Sequence, residues 1–260
     1  MDKVISKDGT VIAYEKTGTG PALILVGGGL CDRKTAASGM PMAQHLASHF
    51  TVCSYDRRGR GDSGDTLPYA VEREIEDISA LITQAGGSAY IYGMSSGGIL
   101  SIKAVLAGLP ITKLVVYEPP FSIDTKHASE WIAYTAQLKV LIENNDRANA
   151  IKLFMTTAGM PKILISLLRY TPIWGKILPL APTLVYDAAI VGDRMLPYTE
   201  LAKITIPAIV IDGGNSPANM LDSARALAGA LPNGQHRTLE GQTHNVNAKV
   251  LATALTELLQ

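Results

Sequence analysis

Residues 89–98 read Ala89-Tyr90-Ile91-Tyr92-Gly93-Met94-Ser95-Ser96-Gly97-Gly98, and their order decides the fold. The run 89–92 is short and apolar, as in a strand buried on both faces. Residues 96–107 carry a helical pattern. A strand that turns sharply into a helix needs small residues on either side of its apex. Gly93 and Gly97 supply them, and Gly98 lets the helix pack close to the sheet. Ser95 then stands at the apex in a strained conformation, with its side chain above the sheet. The helix start behind it offers unpaired N–H groups and a positive dipole end. Such a serine suits nucleophilic attack, with the Ser96 N–H facing the developing oxyanion. The plainer alternative is a glycine-rich turn capped by serine. Ser96 is the other candidate nucleophile, but its place after the apex suits the backbone role.

Outward from this turn, short apolar runs alternate with amphipathic segments. Residues 4–6 and 11–16 form a hairpin around Asp8-Gly9. Strands are expected at 22–26, 51–55 and 114–117, and helices at 42–50 and 71–84. Ile75, Ile78 and Ile82 mark one helix face. The alternation resumes with strands at 208–211 and 236–239 and helices at 218–230 and 246–259. This is the pattern of an α/β fold with a mainly parallel sheet. Between 121 and 197 only helical patterns occur, broken by Pro161, Pro172, Pro179, Pro182 and Pro197. The expected organisation is therefore a core of residues 1–120 and 198–260 with a helical cap, 121–197, inserted as a lid. Trp131, Trp174, Phe121, Phe154, Met155, Met160 and Met195 lie in or at the edge of that insertion. They line an apolar pocket or form the lid's own core.

Of the 260 residues, 47% are hydrophobic and 18% charged, which disfavours long disordered tails. Lys plus Arg and Asp plus Glu both number 23. No field of one sign favours nucleic acid or an anionic membrane. The expected partner is a small, uncharged molecule; a homodimer is left open. Cys31 and Cys53 are too few for a disulfide scaffold and read as buried free thiols. Their spacing fits no zinc site. The start, Met1-Asp2-Lys3-Val4, lacks the apolar stretch of a secretory leader, and no apolar run reaches the ~18 residues of a membrane helix. A cytoplasmic, soluble protein is expected.

A serine nucleophile needs a base. His45 and His49 fall in or near the first long helix and read as surface residues. His127 begins the insertion and is a pocket candidate, while His236 lies in the last strand and reads as structural. His244, in Glu240-Gly241-Gln242-Thr243-His244-Asn245, sits between the last strand and the last helix. A loop there can carry an imidazole to the serine. Histidine, with a reference pKa of about 6.5, is neutral enough at pH 7 to take a proton. The alternative is a loop histidine capping the final helix.

Taken together, these features resemble the α/β-hydrolase superfamily along nearly the whole chain. The resemblance rests on the Ser95 turn, on Val26-Gly27-Gly28-Gly29 after a strand, on the loop Asp56-Arg57-Arg58-Gly59-Arg60-Gly61-Asp62-Ser63 and on the Gly241-x-x-His244 spacing. It implies an eight-stranded, mainly parallel sheet flanked by helices, with an inserted helical cap. It also implies that Gly29 gives the second oxyanion N–H. Gly27 stands where the family usually has histidine. Read from its residues alone, the triple-glycine loop also fits a phosphate cradle or a flexible turn, but it lacks the Lys-Ser/Thr ending of a Walker loop. Asp56, Arg57 and Arg58 read as ion-pairing and turn residues.

The base needs a carboxylate to orient it, and here the sequence departs from the family. In Asp212-Gly213-Gly214-Asn215-Ser216-Pro217 the usual aspartate position falls on Ser216. Two carboxylates remain. Glu118 ends the strand at 114–117, where haloalkane dehalogenases and coelenterazine luciferases carry their acid; its plainer role is a buried structural carboxylate. Asp212 is the rival, and its plainer role is to shape a turn before two glycines.

The expected function is a cofactor-independent, metal-free serine hydrolase of an ester, lactone or thioester. In it Ser95 attacks, His244 relays the proton, Glu118 orients His244, and the N–H groups of Ser96 and Gly29 hold the oxyanion. Carbon–carbon bond hydrolysis and perhydrolysis use the same parts. A small-molecule receptor of this fold with slow turnover is the alternative outside ordinary catalysis.

Overall fold

The computed structural model describes residues 1–260. The chain runs β1 (Asp2–Ile5), β2 (Val11–Thr17), β3 (Ala22–Val26), α1 (Met40–Leu46), β4 (Thr51–Tyr55), α2 (Val71–Gln84), β5 (Ala89–Met94), α3 (Ser96–Leu106) and β6 (Ile111–Tyr117). Six helices follow: α4 (Thr125–Glu143), α5 (Arg147–Thr157), α6 (Lys162–Leu168), α7 (Pro172–Ile177), α8 (Leu184–Val191) and α9 (Tyr198–Leu201), with a 3-10 segment, Leu178–Thr183, before α8. The chain closes with β7 (Ala208–Gly213), α10 (Ala218–Ala230), β8 (Gly234–Leu239) and α11 (Ala248–Leu259).

All eight strands form one sheet in the order β1-β2-β4-β3-β5-β6-β7-β8. The pairs β1–β2 and β2–β4 are antiparallel, and the rest are parallel. The central strands are continuously apolar because both of their faces are covered. One face carries α1 and α11, packed through Met42, Leu46, Leu251 and Leu255. The other carries α2, α3 and α10, packed through Ile78, Leu81, Ile99, Leu100 and Leu227.

Several expected boundaries move for local reasons. Helix α1 spans Met40–Leu46 rather than 42–50, because Pro41 favours the first turn and the N–H groups of His49 and Phe50 both turn back to the Leu46 carbonyl. Strand β5 runs on to Met94, since Gly93 still pairs with Val26 on one side and Val116 on the other. Strand β7 likewise continues through Asp212 and Gly213, which pair with Thr238 and Leu239.

The helices α4 to α8 lie between β6 and β7, and the two ends of this stretch meet. Ser122 bridges Met195, and its N–H donates to the Arg194 carbonyl at 2.7 Å. The prolines punctuate it by starting or capping elements: Pro161 and Pro197 precede α6 and α9, and Pro172 opens α7. Trp131, Tyr134, Leu138, Leu184 and Ile190 bury their side chains in continuity with the α2–α3 face of the core. Trp131 donates its indole N–H to the Gly192 carbonyl at 3.0 Å. No helix is long and apolar enough to cross a membrane.

The register aligns three strand ends. Met94 pairs with Tyr117, and Tyr117 pairs with Ile211. Ser95, Glu118 and Asp212 therefore stand side by side at the carboxyl ends of three neighbouring parallel strands. Open α/β sheets bind ligands at that edge.

Candidate active site

Ser95 has φ 54° and ψ −127°, a conformation costly for a residue with a Cβ. It is held from both sides: its N–H donates to the Tyr117 carbonyl and its carbonyl accepts from Gly98, each at 2.9 Å. A Cβ at Gly93 would strike the Gly97 carbonyl and the Ser101 hydroxyl, and one at Gly97 would strike the Val26 and Gly27 carbonyls. Both glycines are thus required by close backbone approach. A Cβ on Gly28 would meet the Ser95 Cβ at 2.9 Å, so the triple-glycine loop lies directly against the serine.

The loop between β8 and α11 carries His244, and it is tied to the strand ends. Tyr117 Oη donates to the Thr243 carbonyl at 2.7 Å, and the Asn215 N–H donates to the Gln242 carbonyl at 2.8 Å. His244 Nδ1 lies 2.7 Å from Glu118 Oε2. The second oxygen, Oε1, accepts the Gly213 N–H at 2.9 Å. Glu118 is buried, and its φ of 43° is a second strained backbone at this edge.

Asp212 is not part of this group. It is fully buried, and its Oδ2 lies 2.7 Å from Nε2 of His236 on the edge strand β8. The structure thus joins each of the two competing carboxylates to a different histidine. Ser216 is buried and its hydroxyl has no partner. His45 and His49 are exposed, and His127 pairs with Asp124 at 2.5 Å in the first turn of α4. Cys31 and Cys53 are free thiols; Cys53 is buried as expected, while Cys31 is only half-buried because it sits in the loop after β3. Burial pushes the Cys53 thiol up to about 12. No cluster of His, Cys, Asp and Glu is arranged to hold a metal ion.

Arg57, Arg58 and Arg60 of the 56–63 loop are buried. Arg58 pairs with Asp77 and Asp8. Arg57 forms a two-pronged pair with Glu74, both contacts at 2.7 Å. Sequence reasoning missed the carboxylate that joins Arg57 to Arg60. Asp187, from α8, contacts Arg57 Nη1 at 2.7 Å, Arg60 Nη2 at 2.8 Å and the Ser96 hydroxyl at 2.7 Å. Burial alone would raise its carboxyl, but Arg60 and Arg57 outweigh burial and hold it below the usual carboxylate range. One signal was present in the sequence: Asp187 is the only charged residue of LVYDAAIV. Phe154 of α5 also reaches down, and a Cβ on Gly29 would meet its ring at 2.9 Å.

The strained serine at a strand-to-helix turn stands next to Glu118, which closes the neighbouring strand and holds His244 of the β8–α11 loop. The family model described as the alpha/beta hydrolase family matches residues 23–252. The chain belongs to the alpha/beta hydrolase family. An α/β hydrolase from Sphaerobacter thermophilus DSM 20745 is similar over all of both chains, at 46% identity and a TM-score of 0.91. A hydrolase from Pseudomonas aeruginosa PA01 shares the fold at 23% identity, with a TM-score of 0.75 over 99% of this chain and 97% of its own. The uncharacterized hydrolase YraK of Bacillus subtilis (strain 168) is 30% identical over 149 residues. That match spans 56% of this chain and 54% of YraK, about half of its length.

Proposed function

We propose that this α/β hydrolase is a cofactor-independent serine hydrolase that cleaves a small, largely apolar ester, lactone or thioester through an acyl-enzyme. The 2.7 Å contact between Glu118 and His244, beside the strained Ser95, carries the reading. A carboxylate on Nδ1 keeps the proton there, leaving Nε2 free to accept one. His244 takes the Ser95 hydroxyl proton as Oγ attacks the carbonyl carbon, and returns it to the leaving oxygen or sulfur. Water, losing its proton to the same nitrogen, then attacks the acyl-enzyme and frees Ser95.

The charge that develops on the carbonyl oxygen needs fixed donors. The N–H groups of Gly29 and Ser96 make no hydrogen bond within the protein, which supports their use there. Asp212 is a poor orienting acid because His236 already occupies it. The Phe154 ring against Gly29 gives an apolar wall to the acyl side.

Hydrolysis of short p-nitrophenyl esters and thioesters tests this. The wild type should turn them over, and Ser95→Ala or His244→Ala should lower kcat by about 10⁴ or more. Equal rates in wild type and Ser95→Ala would overturn the reading. Fluorophosphonate labelling of Ser95 without turnover would assign the fold to a receptor instead.

A further inference from the structure

The triple-glycine loop is held by its carbonyls, and the groups that hold it depend on the helical insertion. Arg60 Nη1 donates to the Gly28 carbonyl at 2.5 Å and to the Cys31 carbonyl at 3.3 Å. Arg57 Nη1 donates to the Gly27 carbonyl at 3.2 Å. A trans peptide is planar, with its C=O and N–H pointing opposite ways. Fixing the Gly28 carbonyl on Arg60 therefore fixes the direction of the Gly29 N–H, because both belong to one peptide unit. Glycines provide no side chain to hold that plane, so the guanidinium must do it.

Arg60 is buried, and Asp187 is its one carboxylate partner. The same carboxylate holds Arg57 and the Ser96 hydroxyl. Asp187 thus touches the supports of both N–H groups assigned to the oxyanion. Its helix is seated independently, since Tyr186 stacks on Tyr69 with ring centroids 3.8 Å apart. Arg57, Arg60, Asp187 and Glu74 form a buried group with two positive and two negative charges.

We propose that Asp187 is a positioning residue through which the helical insertion sets the oxyanion site: it locks Arg60, which orients the Gly28–Gly29 peptide, and it ties down Ser96. This rests on the serine-hydrolase reading for its catalytic consequence but not for its geometry. It makes activity conditional on the docking of α8 against the core. A role confined to charge gives the opposite result, because Asp187→Asn leaves a net positive charge beneath the oxyanion and would raise kcat.

The test compares wild type, Asp187→Asn, Arg60→Lys and the double variant on a short p-nitrophenyl ester. Crystal structures of the wild type and the variants accompany the kinetics. Asp187→Asn should lower kcat about 10²-fold, the size of one lost oxyanion donor, with KM little changed. Affinity for a boronic acid that forms a tetrahedral adduct on Ser95 should fall in parallel. Arg60→Lys keeps the charge but loses the fork and should fall in the same direction, and the double variant should be no worse than the poorer single one. In the crystals, the Gly28 carbonyl should leave its wild-type direction. A folded Asp187→Asn with unchanged or higher kcat, or losses that multiply in the double variant, would overturn the proposal. If Asp187→Asn does not fold, Arg60→Lys decides by the same readouts. If wild type and Ser95→Ala are equally inactive, the hydrolase reading fails, and the direction of the Gly28–Gly29 peptide still decides this one.

Discussion

Glu118 and Asp212 close neighbouring parallel strands, are both buried, and each holds a histidine at 2.7 Å. They differ in where that histidine stands. His236 belongs to the edge strand and is fixed by the sheet ladder opposite Val210. His244 belongs to a loop that crosses the strand ends, pinned by Tyr117 and Asn215. The one pair is locked into the framework, while the other is carried to the edge where Ser95 waits. Glu118 also spends its second oxygen on the Gly213 N–H, whereas Asp212 Oδ1 has no partner. A carboxylate–histidine contact is therefore not itself a site. The pair proposed as the site is the one whose carboxylate neighbours the strained serine.

The largest break in this comparison should come from neutralising each carboxylate in turn. Glu118→Gln should lower kcat by about 10⁴, because an amide stabilises neither the tautomer nor the imidazolium. Asp212→Asn should leave kcat near the wild type. Steady-state kinetics on one ester decides between them, and the opposite ranking would move the acid to Asp212. Next comes Gly213→Ala. A Cβ there would lie 2.7 Å from both the Gln242 backbone and Tyr117 Oη. The His244 loop must shift, and a loss of up to about 10² in kcat is expected from misplacement of that order. An unchanged rate would show that the loop tolerates the shift.

Much of this was legible in the sequence. Strand β4 falls at 51–55 and helix α2 at 71–84, as their patterns require, because a run buried on both faces and an amphipathic helix each leave a distinct periodicity. The strained turn at Ser95 was legible because turn chemistry is local, and the loop position of His244 because it follows the last strand. The preference for Glu118 over Asp212 rested on the resemblance alone, because which histidine each carboxylate reaches depends on strand order. Asp187 was further out of reach. Its arginine partners lie 130 and 127 residues away, so no local pattern joins them.

Two smaller effects sharpen the contrast between framework and site. Asp212→Asn should cost about 1–3 kcal/mol of stability, since it weakens a buried, hydrogen-bonded partner of His236. Chemical denaturation would show this as a lower midpoint, and no shift would mean the pair is not structural. Asp187 gives a pH signature. Its folded-state pKa is depressed, so its stabilisation is complete above the unfolded-chain value near pH ~4. It is lost as pH falls through the lower folded value. Asp187→Asn should flatten that part of the acid limb of Tm against pH, and an unaltered limb would contradict the ion-pair assignment.

The most direct single measurement is the rate of fluorophosphonate labelling, followed by intact mass and peptide mapping, in wild type, Glu118→Gln and Asp212→Asn. The expected result is one adduct, on Ser95, forming rapidly in wild type and Asp212→Asn and far more slowly in Glu118→Gln. An adduct on Ser96, or equal rates in all three proteins, would contradict the assignment of Ser95, His244 and Glu118.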